Sequence, residues 1–195
     1  FDVAVPFPLH FKRDSCFLHE TSTVVYNSWK SQEISTIPIY GNLEVRDGIG
    51  LKNTKHFYPN DTVFIHGDLS LKESSVFLDI NNHHLVINGN WDGPGDTRLD
   101  SGSITLYGNG LNSGDLEPGS SIIRYAGDES QLVKRGVYYD LIVDKTGGNA
   151  RLKAGSGELQ VKSNLFVERG VMQFFGEKVS VQGVTTVRDS LLFSS

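Results

Sequence analysis

Apolar and polar residues alternate over short stretches along most of the chain. Thr23-Val24-Val25-Tyr26, Asn42-Leu43-Glu44-Val45, Thr62-Val63-Phe64-Ile65 and His84-Leu85-Val86-Ile87 come first. Ser103–Leu106, Ile122–Tyr125, Asp140–Val143, Glu158–Val161 and Lys178–Val181 follow. Each stretch is rich in β-branched or aromatic residues and is closed by Gly, Asn, Asp or Ser, which predicts strands. The one helical candidate, Asp128 to Arg135 between Gly127 and Gly136, is too short to stand alone. Its alignment with an extended segment, given below, predicts a strand there as well.

Spacing predicts how the strands are arranged. One apolar position per stretch (Val25, Val45, Ile65, Ile87, Leu106, Ile123, Val143, Val161, Val181) gives steps of 20, 20, 22, 19, 17, 20, 18 and 20, a mean of 19.5. Such a period marks a coil repeated along an axis. A sandwich would place turn signals about every 8–12 residues without that phase. One coil cannot bury its own apolar face, whereas stacked coils bury a continuous column. The expected fold is therefore an all-β, right-handed parallel β-helix with coils of about 20 residues and the nine positions above as an interior ladder. The hand follows from the preference of parallel crossovers. Asn88-Gly89-Asn90 and Gly108-Asn109-Gly110 read as corners that need positive φ.

A longer repeat overlies the short one. Thr23–Val45 matches Ile122–Val143, with Tyr26/Tyr125 and Gln32/Gln131 offset by 99 and Leu43/Leu141 and Val45/Val143 by 98. Val63–Leu71 matches Leu159–Val167 at 96, and Leu85–Gly89 matches Val179–Gly183 at 94. Four matches in one order predict a unit of five coils, about 98 residues long, in two copies over 22–120 and 121–195, the second incomplete. Residues 1–21, with Pro6, Phe7, Pro8, Phe11 and Phe17, fall outside the pattern and read as an N-terminal cap or the tail of a preceding domain. The start at Phe1 reads as a processed or excised piece. The apolar pattern from Val184 to Leu192 has no polar cap, and an uncapped end is an adhesive sheet edge, so the native chain is expected to continue beyond Ser195.

Composition narrows the function. Four Ala and 21 Gly in 195 residues argue against helices. A net charge of −5 without a basic block excludes non-specific nucleic-acid binding. The lone Cys16 leaves no intrachain disulfide and no zinc spacing. No apolar run approaches the ~20 residues of a membrane span.

The candidate chemistry is sparse. His66, His83 and His84 meet no metal-ligand spacing and read as solvated turn residues. Asp92-Gly93-Pro94-Gly95-Asp96 lacks the calcium-loop pattern. Trp29, Trp91, Tyr58, Tyr107 and Tyr138 would form either a sugar-stacking strip or, as preferred here, corner plugs with a polar tip in water. A lyase or hydrolase would need converging acid and base groups, and nothing in the spacing brings together any two of Asp68, Asp79, Asp92, Asp96 and Asp100. Thr21-Ser22-Thr23 occurs once, so no ice-binding ladder is expected. The expectation is no catalytic, cofactor-binding or metal-binding residue, and no cofactor.

The order of motifs in Thr23–Val45, Val63–Leu71 and Leu85–Trp91, recurring less cleanly from Ile122 to Gly183, resembles repeat regions in very large exported surface proteins of Bacteroidota. The resemblance covers residues 22–187. It departs at 1–21 and at the missing Asn-Trp pair after Gly183. It implies a right-handed β-helix, secretion (commonly by the type IX route), an extracellular cell-surface location and an adhesive or scaffolding role, gliding adhesins included. It brings no catalytic motif. Asp61-Thr62-Val63 and Asp189-Ser190-Leu191 resemble the O-glycosylation signal of that group. The expected role is a non-catalytic stalk or adhesive module within a longer chain. Its partners would be extracellular glycans or other surface or secretion-machinery proteins, not nucleic acid. The alternatives are a carbohydrate-active β-helix (polysaccharide lyase or glycan-binding module) and an obligately trimeric viral tail fibre.

Overall fold

The structure, a computed structural model, describes residues 16, 18–48, 53–59, 61–152, 158–175 and 178–194. The described residues form 21 strands and no helix. In chain order these are β1 (Thr23–Asn27), β2 (Gln32–Ser35), β3 (Asn42–Arg46), β4 (Asn53–Tyr58), β5 (Val63–Ile65), β6 (Leu69–Leu71), β7 (Val76–Asp79), β8 (His84–Ile87), β9 (Trp91–Asp92) and β10 (Asp96–Arg98). They continue as β11 (Ser103–Leu106), β12 (Leu116–Glu117), β13 (Ile122–Gly127), β14 (Gln131–Val133), β15 (Gly136–Tyr138), β16 (Asp140–Leu152), β17 (Leu159–Val161), β18 (Leu165–Phe175), β19 (Val179–Val181), β20 (Thr185–Val187) and β21 (Ser190–Ser194). Every ladder between them is parallel.

The strands stack on three faces as a parallel β-helix of about 8 turns. The first face runs β1–β3–β6–β9, narrows to a single bridge between Trp91 and Gly110, and resumes with β14 and the C-terminal halves of β16 and β18, ending at β21. The second runs β5–β8–β11–β13, then the N-terminal halves of β16 and β18, then β20. The third runs β2–β4–β7–β10–β12 and, after a break, β15–β17–β19. The proposed helical turn is extended, with β14 at Gln131–Val133.

Inward residues alternate with outward ones, and the inward ones form the core. On the second face the ladder reads Ile65–Ile87–Leu106–Tyr125–Val143–Val167–Val187. Ile65 through Val167 are at most 1 % exposed, and each such side chain contributes about 1.5–3 kcal/mol over its exposed state.

The ladder expected from a fixed 20-residue step needs correction, because it draws on all three faces. Val45 stacks between Tyr26 and Leu71 on the first face, whereas Ile65 lies on the second beside Ile87. Val161 and Val181 belong to the third. Val25 pairs with Glu44 and is only half-buried. Ile123 stacks on Ile104 rather than Leu106. Corner length varies from coil to coil, so one rung can span 26 residues (Val45 to Leu71) and another 19 (Ile87 to Leu106). A fixed step then lands on a neighbouring face.

The long repeat is a structural repeat, but not of five whole coils. Tyr26 lies on the first face and its counterpart Tyr125 on the second; Val63–Ile65 lies on the second face and its counterpart Leu159–Val161 on the third. One unit therefore falls one face short of five turns, and the second copy repeats the first rotated by one face.

The corners explain the glycines. Gly41-Asn42, Gly67-Asp68, Gly89-Asn90 and Gly108-Asn109 stack between the second and first faces. Their backbones are joined by Gly67 N–H to Gly41 O (2.6 Å), Gly89 to Gly67 (2.9 Å) and Gly108 to Gly89 (3.1 Å). Beside them runs a side-chain ladder. Asn42 Oδ1 accepts from Asp68 N (2.9 Å), Asp68 Oδ1 from Asn90 N (2.6 Å), Asn90 Oδ1 from Asn109 N (2.9 Å) and Asn109 Oδ1 from Leu132 N (2.8 Å). The second unit repeats this one face on, with Asp140 Oδ1 accepting from Asn164 N at 2.8 Å and Asn164 Oδ1 from Val184 N at 3.2 Å. The expected positive φ at Gly89 and Gly108 is not found. These glycines are required because a Cβ would lie 2.5 Å and 2.2 Å from the carbonyl oxygen one coil below.

Of the segment 1–21, residues 1–15 and 17 lie outside the described residues. Ile39 joins the rest to the column: Leu18 N–H donates to Ile39 O and Ile39 N–H to Cys16 O, both at 3.1 Å.

Candidate functional site

The most elaborate polar chemistry lies inside the column, at equivalent places in the two units. Tyr40 donates its hydroxyl proton to Ser35 O (2.5 Å), so across the 3.0 Å contact Tyr26 is the donor to Tyr40, while Tyr26 Oη accepts from Ser35 N (3.2 Å). In the second unit Tyr138 donates to Lys134 O (2.5 Å), Tyr125 to Tyr138 (3.3 Å), and Tyr125 Oη accepts from Lys134 N (3.0 Å). All four rings are 0 % exposed. Burial raises all four phenols above their ordinary range.

Buried lysines cap the adjoining corners. Lys55, 0 % exposed, donates to Ser28 O (2.6 Å) and Lys30 O (2.7 Å). Lys145, 2 % exposed, donates to Ala126 O (2.9 Å) and to Gln131 Oε1. The Gln131 amide in turn donates to Leu106 O (2.9 Å) and Gly108 O (2.5 Å). Desolvation lowers both ammonium groups, Lys145 to about 8. These groups are structural, since no ligand reaches an ammonium so enclosed.

A pH dependence follows. A lysine lowered on folding is more protonated in the unfolded chain, so stability rises with pH from about 8 (Lys145) towards 10.5. The tyrosines oppose this, because their neutral form is favoured in the fold and stability is lost as pH rises beyond their ordinary 10.0. Urea midpoints measured from pH 7 to 11 should therefore rise, peak between pH 8 and 10, and fall. Lys145→Met should flatten the rising limb.

The residues singled out in the sequence do not converge. His83 is buried rather than solvated, its Nδ1 2.8 Å from Ile80 O and its Nε2 3.2 Å from Pro59 O. His84 Nδ1 meets Ser103 Oγ at 2.6 Å, and His66 Nδ1 lies 4.0 Å from Glu20. Among the described residues no three His, Cys, Asp or Glu side chains are grouped to hold a metal. Asp68 belongs to the corner ladder, Asp79 pairs with Arg98, and Asp96 Oδ1 accepts from Asp115 N (2.8 Å). Asp100 lies 3.5 Å from Arg98. Gly93, between Asp92 and Asp96, has a φ of +94° and sits where a Cβ would be 2.0 Å from Leu71 O, a tight corner.

The aromatic residues divide. Trp91 and Tyr138 are wholly buried, so the expected wet polar tip is corrected for both. Trp29, Tyr58 and Tyr107 are exposed, but Trp29 follows β1, Tyr58 ends β4 and Tyr107 follows β11, at three different corners. Thr62 precedes β5 and Ser190 opens β21, both half-buried.

A groove of about 540 Å³, which no motif announces, lies where the third face parts between β12 and β15. Asp115, Glu117, Lys134, Arg135, Val137 and Glu158 line it. They come from three coils, and each looks like an ordinary surface residue. The only sequence hint is Pro118-Gly119, which cuts β12 to two residues. The groove offers carboxylates, a guanidinium and main-chain groups, enough to hydrogen-bond a polar ligand. Lys178 holds the Glu158 carboxyl below its ordinary range, and Asp144, bonded first by Arg169, moves the same way. Both stay ionised at neutral pH, the opposite of what a general acid needs.

Comparison with protein-family models, curated proteins and solved structures gave no match.

Proposed function

We propose that the chain is a non-catalytic, stiff segment of a secreted cell-surface protein, acting as a stalk or adhesive module in a longer assembly. What supports this reading is that the charged groups of successive coils bind one another. Arg124 and Arg169 flank Asp144, Glu158 pairs with Lys178 (2.7 Å) and Glu168 with Arg188 (2.8 Å), while Glu44 faces Lys72 at 3.7 Å. Singly exposed pairs contribute little, but here they lie over hydrogen-bonded ladders and an unbroken core, which gives a rod stiff without disulfides. Weak contacts repeated along such a rod add by avidity. Incubation with anionic polysaccharides, followed by reducing-end and unsaturated-product assays, should give no turnover. Turnover abolished by one Asp or Lys substitution would overturn the reading.

The groove at Asp115 and Glu117 favours a second reading, a glycan-binding module. It predicts glycan-array binding that is lost in Glu117→Ala and kept in Trp29→Ala.

A further inference from the structure

Outward residues on the first face form a row, one per coil: Val25, Glu44, Ser70 and Asp92. Ser70 is the smallest of the row and sits between two acidic side chains, so the surface dips over it. The dip is a pocket of about 270 Å³ whose walls include Glu44, Asp68 and Lys72. Its floor lacks partners. Ser70 is 8 % exposed, yet its hydroxyl makes no hydrogen bond among the described residues. On the next coil Asp92 Oδ1 is likewise buried without a partner among them. A buried polar group left unpaired is costly, and a ligand that pairs it recovers the cost. The walls also have capacity to spare. Arg46 holds one oxygen of Glu44, while Lys72 Nζ stands 3.7 Å from the other, too far for a hydrogen bond. Asp68 spends Oδ1 on the corner ladder, and its Oδ2 has no partner among the described residues.

We propose that this pocket binds one pyranose unit of a glycan through its hydroxyl groups. The lining decides the class of ligand. Carboxylates outnumber the single free ammonium, which disfavours an anion. Among the described residues no three acidic side chains are grouped to hold a metal, so the acceptors are spread for a ligand with several separate donors. The main chains of β3 and β6 are paired on both sides, so a peptide strand finds no edge to join. A sugar ring meets all of these conditions. Its hydroxyls donate to Glu44, Asp68 and Asp92 and accept from Lys72, while Ser70 takes either role. The proposal deepens the adhesive reading above and rests on it for its purpose. The two fail separately: polysaccharide turnover would refute that reading without touching binding here, and loss of binding here leaves a passive stalk intact.

The test is a titration of the ¹⁵N-labelled chain with the methyl glycosides of glucose, galactose, mannose and N-acetylglucosamine, followed by amide chemical shifts. At least one glycoside should shift the amides of Glu44, Ser70 and Asp92 saturably, with a dissociation constant on the order of 1–10 mM for a single ring. Ser70→Leu, which fills the dip, should abolish the shifts with the far-ultraviolet dichroism unchanged. Lys72→Ala, at an exposed side chain that cannot unfold the column, should weaken binding about tenfold. Glu117→Ala, in the groove on the third face, should leave it unchanged. If none of the glycosides shifts these amides saturably, the proposal is overturned. Shifts that survive Ser70→Leu and Lys72→Ala at full strength would overturn it equally.

Discussion

Gly108→Ala is expected to destabilise the chain by about 3–5 kcal/mol, since it disrupts a corner fixed on both sides. A Cβ there would meet Gly89 O at 2.2 Å, Gly89 C at 2.4 Å and Asn90 N at 2.8 Å. All three atoms are backbone, so none can swing aside. To make room the corner must lift off the coil below. That breaks the Gly108 N–H bond to Gly89 O (3.1 Å) and the Asn109 N–H bond to Asn90 Oδ1 (2.9 Å), and disturbs the Leu132 bond to Asn109. Each buried group left unpaired costs about 1–3 kcal/mol. Equilibrium urea unfolding measures the loss; a cost below about 1 kcal/mol would mean the corners are not in van der Waals contact.

Trp91→Ala should cost about as much, 3–5 kcal/mol, and should also change how the protein unfolds. Trp91 is the largest fully buried side chain, inward on β9 between Leu69 and Gly110. That is where the first face narrows to one bridge, and the coils on its two sides are otherwise joined by the two-residue β10–β12 ladder and by β11–β13. In a solenoid, stability sums over nearest-neighbour interfaces, and a cavity at a thin one loosens the column there. Calorimetry should resolve two transitions in Trp91→Ala in place of one. Trp91→Phe should keep a single transition and lose no more than about 1.5 kcal/mol, partly because the indole N–H has no acceptor among the described residues. A single transition in Trp91→Ala would show that coupling runs through the other two faces.

Much of this architecture was legible before any coordinates. Alternation located the strands, the period near 20 revealed a wound column, and the Tyr26/Tyr125 and Gln32/Gln131 matches marked a longer unit. The face to which each strand belongs was not legible. Strands on all three faces are short, apolar and alternating, and only corner length separates them. The rotation of the second unit escaped for the same reason, since an offset of 98 to 99 residues looks like five coils when every coil is taken as 20. Alternation also says nothing of polar residues turned inward. Lys55 and Lys145 are ordinary lysines in the sequence, and their burial depends on carbonyls that converge only once the coils stack. The Tyr26–Tyr40 and Tyr125–Tyr138 pairs were not legible either: the alignment matched Tyr26 to Tyr125, but Tyr138 read as a corner plug with its tip in water, and only stacking of the coils encloses it. The groove depends on a break between two strands some twenty residues apart, which no local pattern reveals.

The most direct test of the stacked column is its register. Thr105 and Arg124 are Cα partners in adjacent coils, both outward and half-buried. Parallel neighbours about 4.8 Å apart fall within the span a disulfide can bridge. In a Cys16→Ala background, the pair Thr105→Cys with Arg124→Cys should oxidise to an intrachain disulfide under native conditions, and the same pair shifted to Thr105→Cys with Tyr139→Cys should not. Failure of the first to form, or formation of the second as readily, would contradict coils wound in this register.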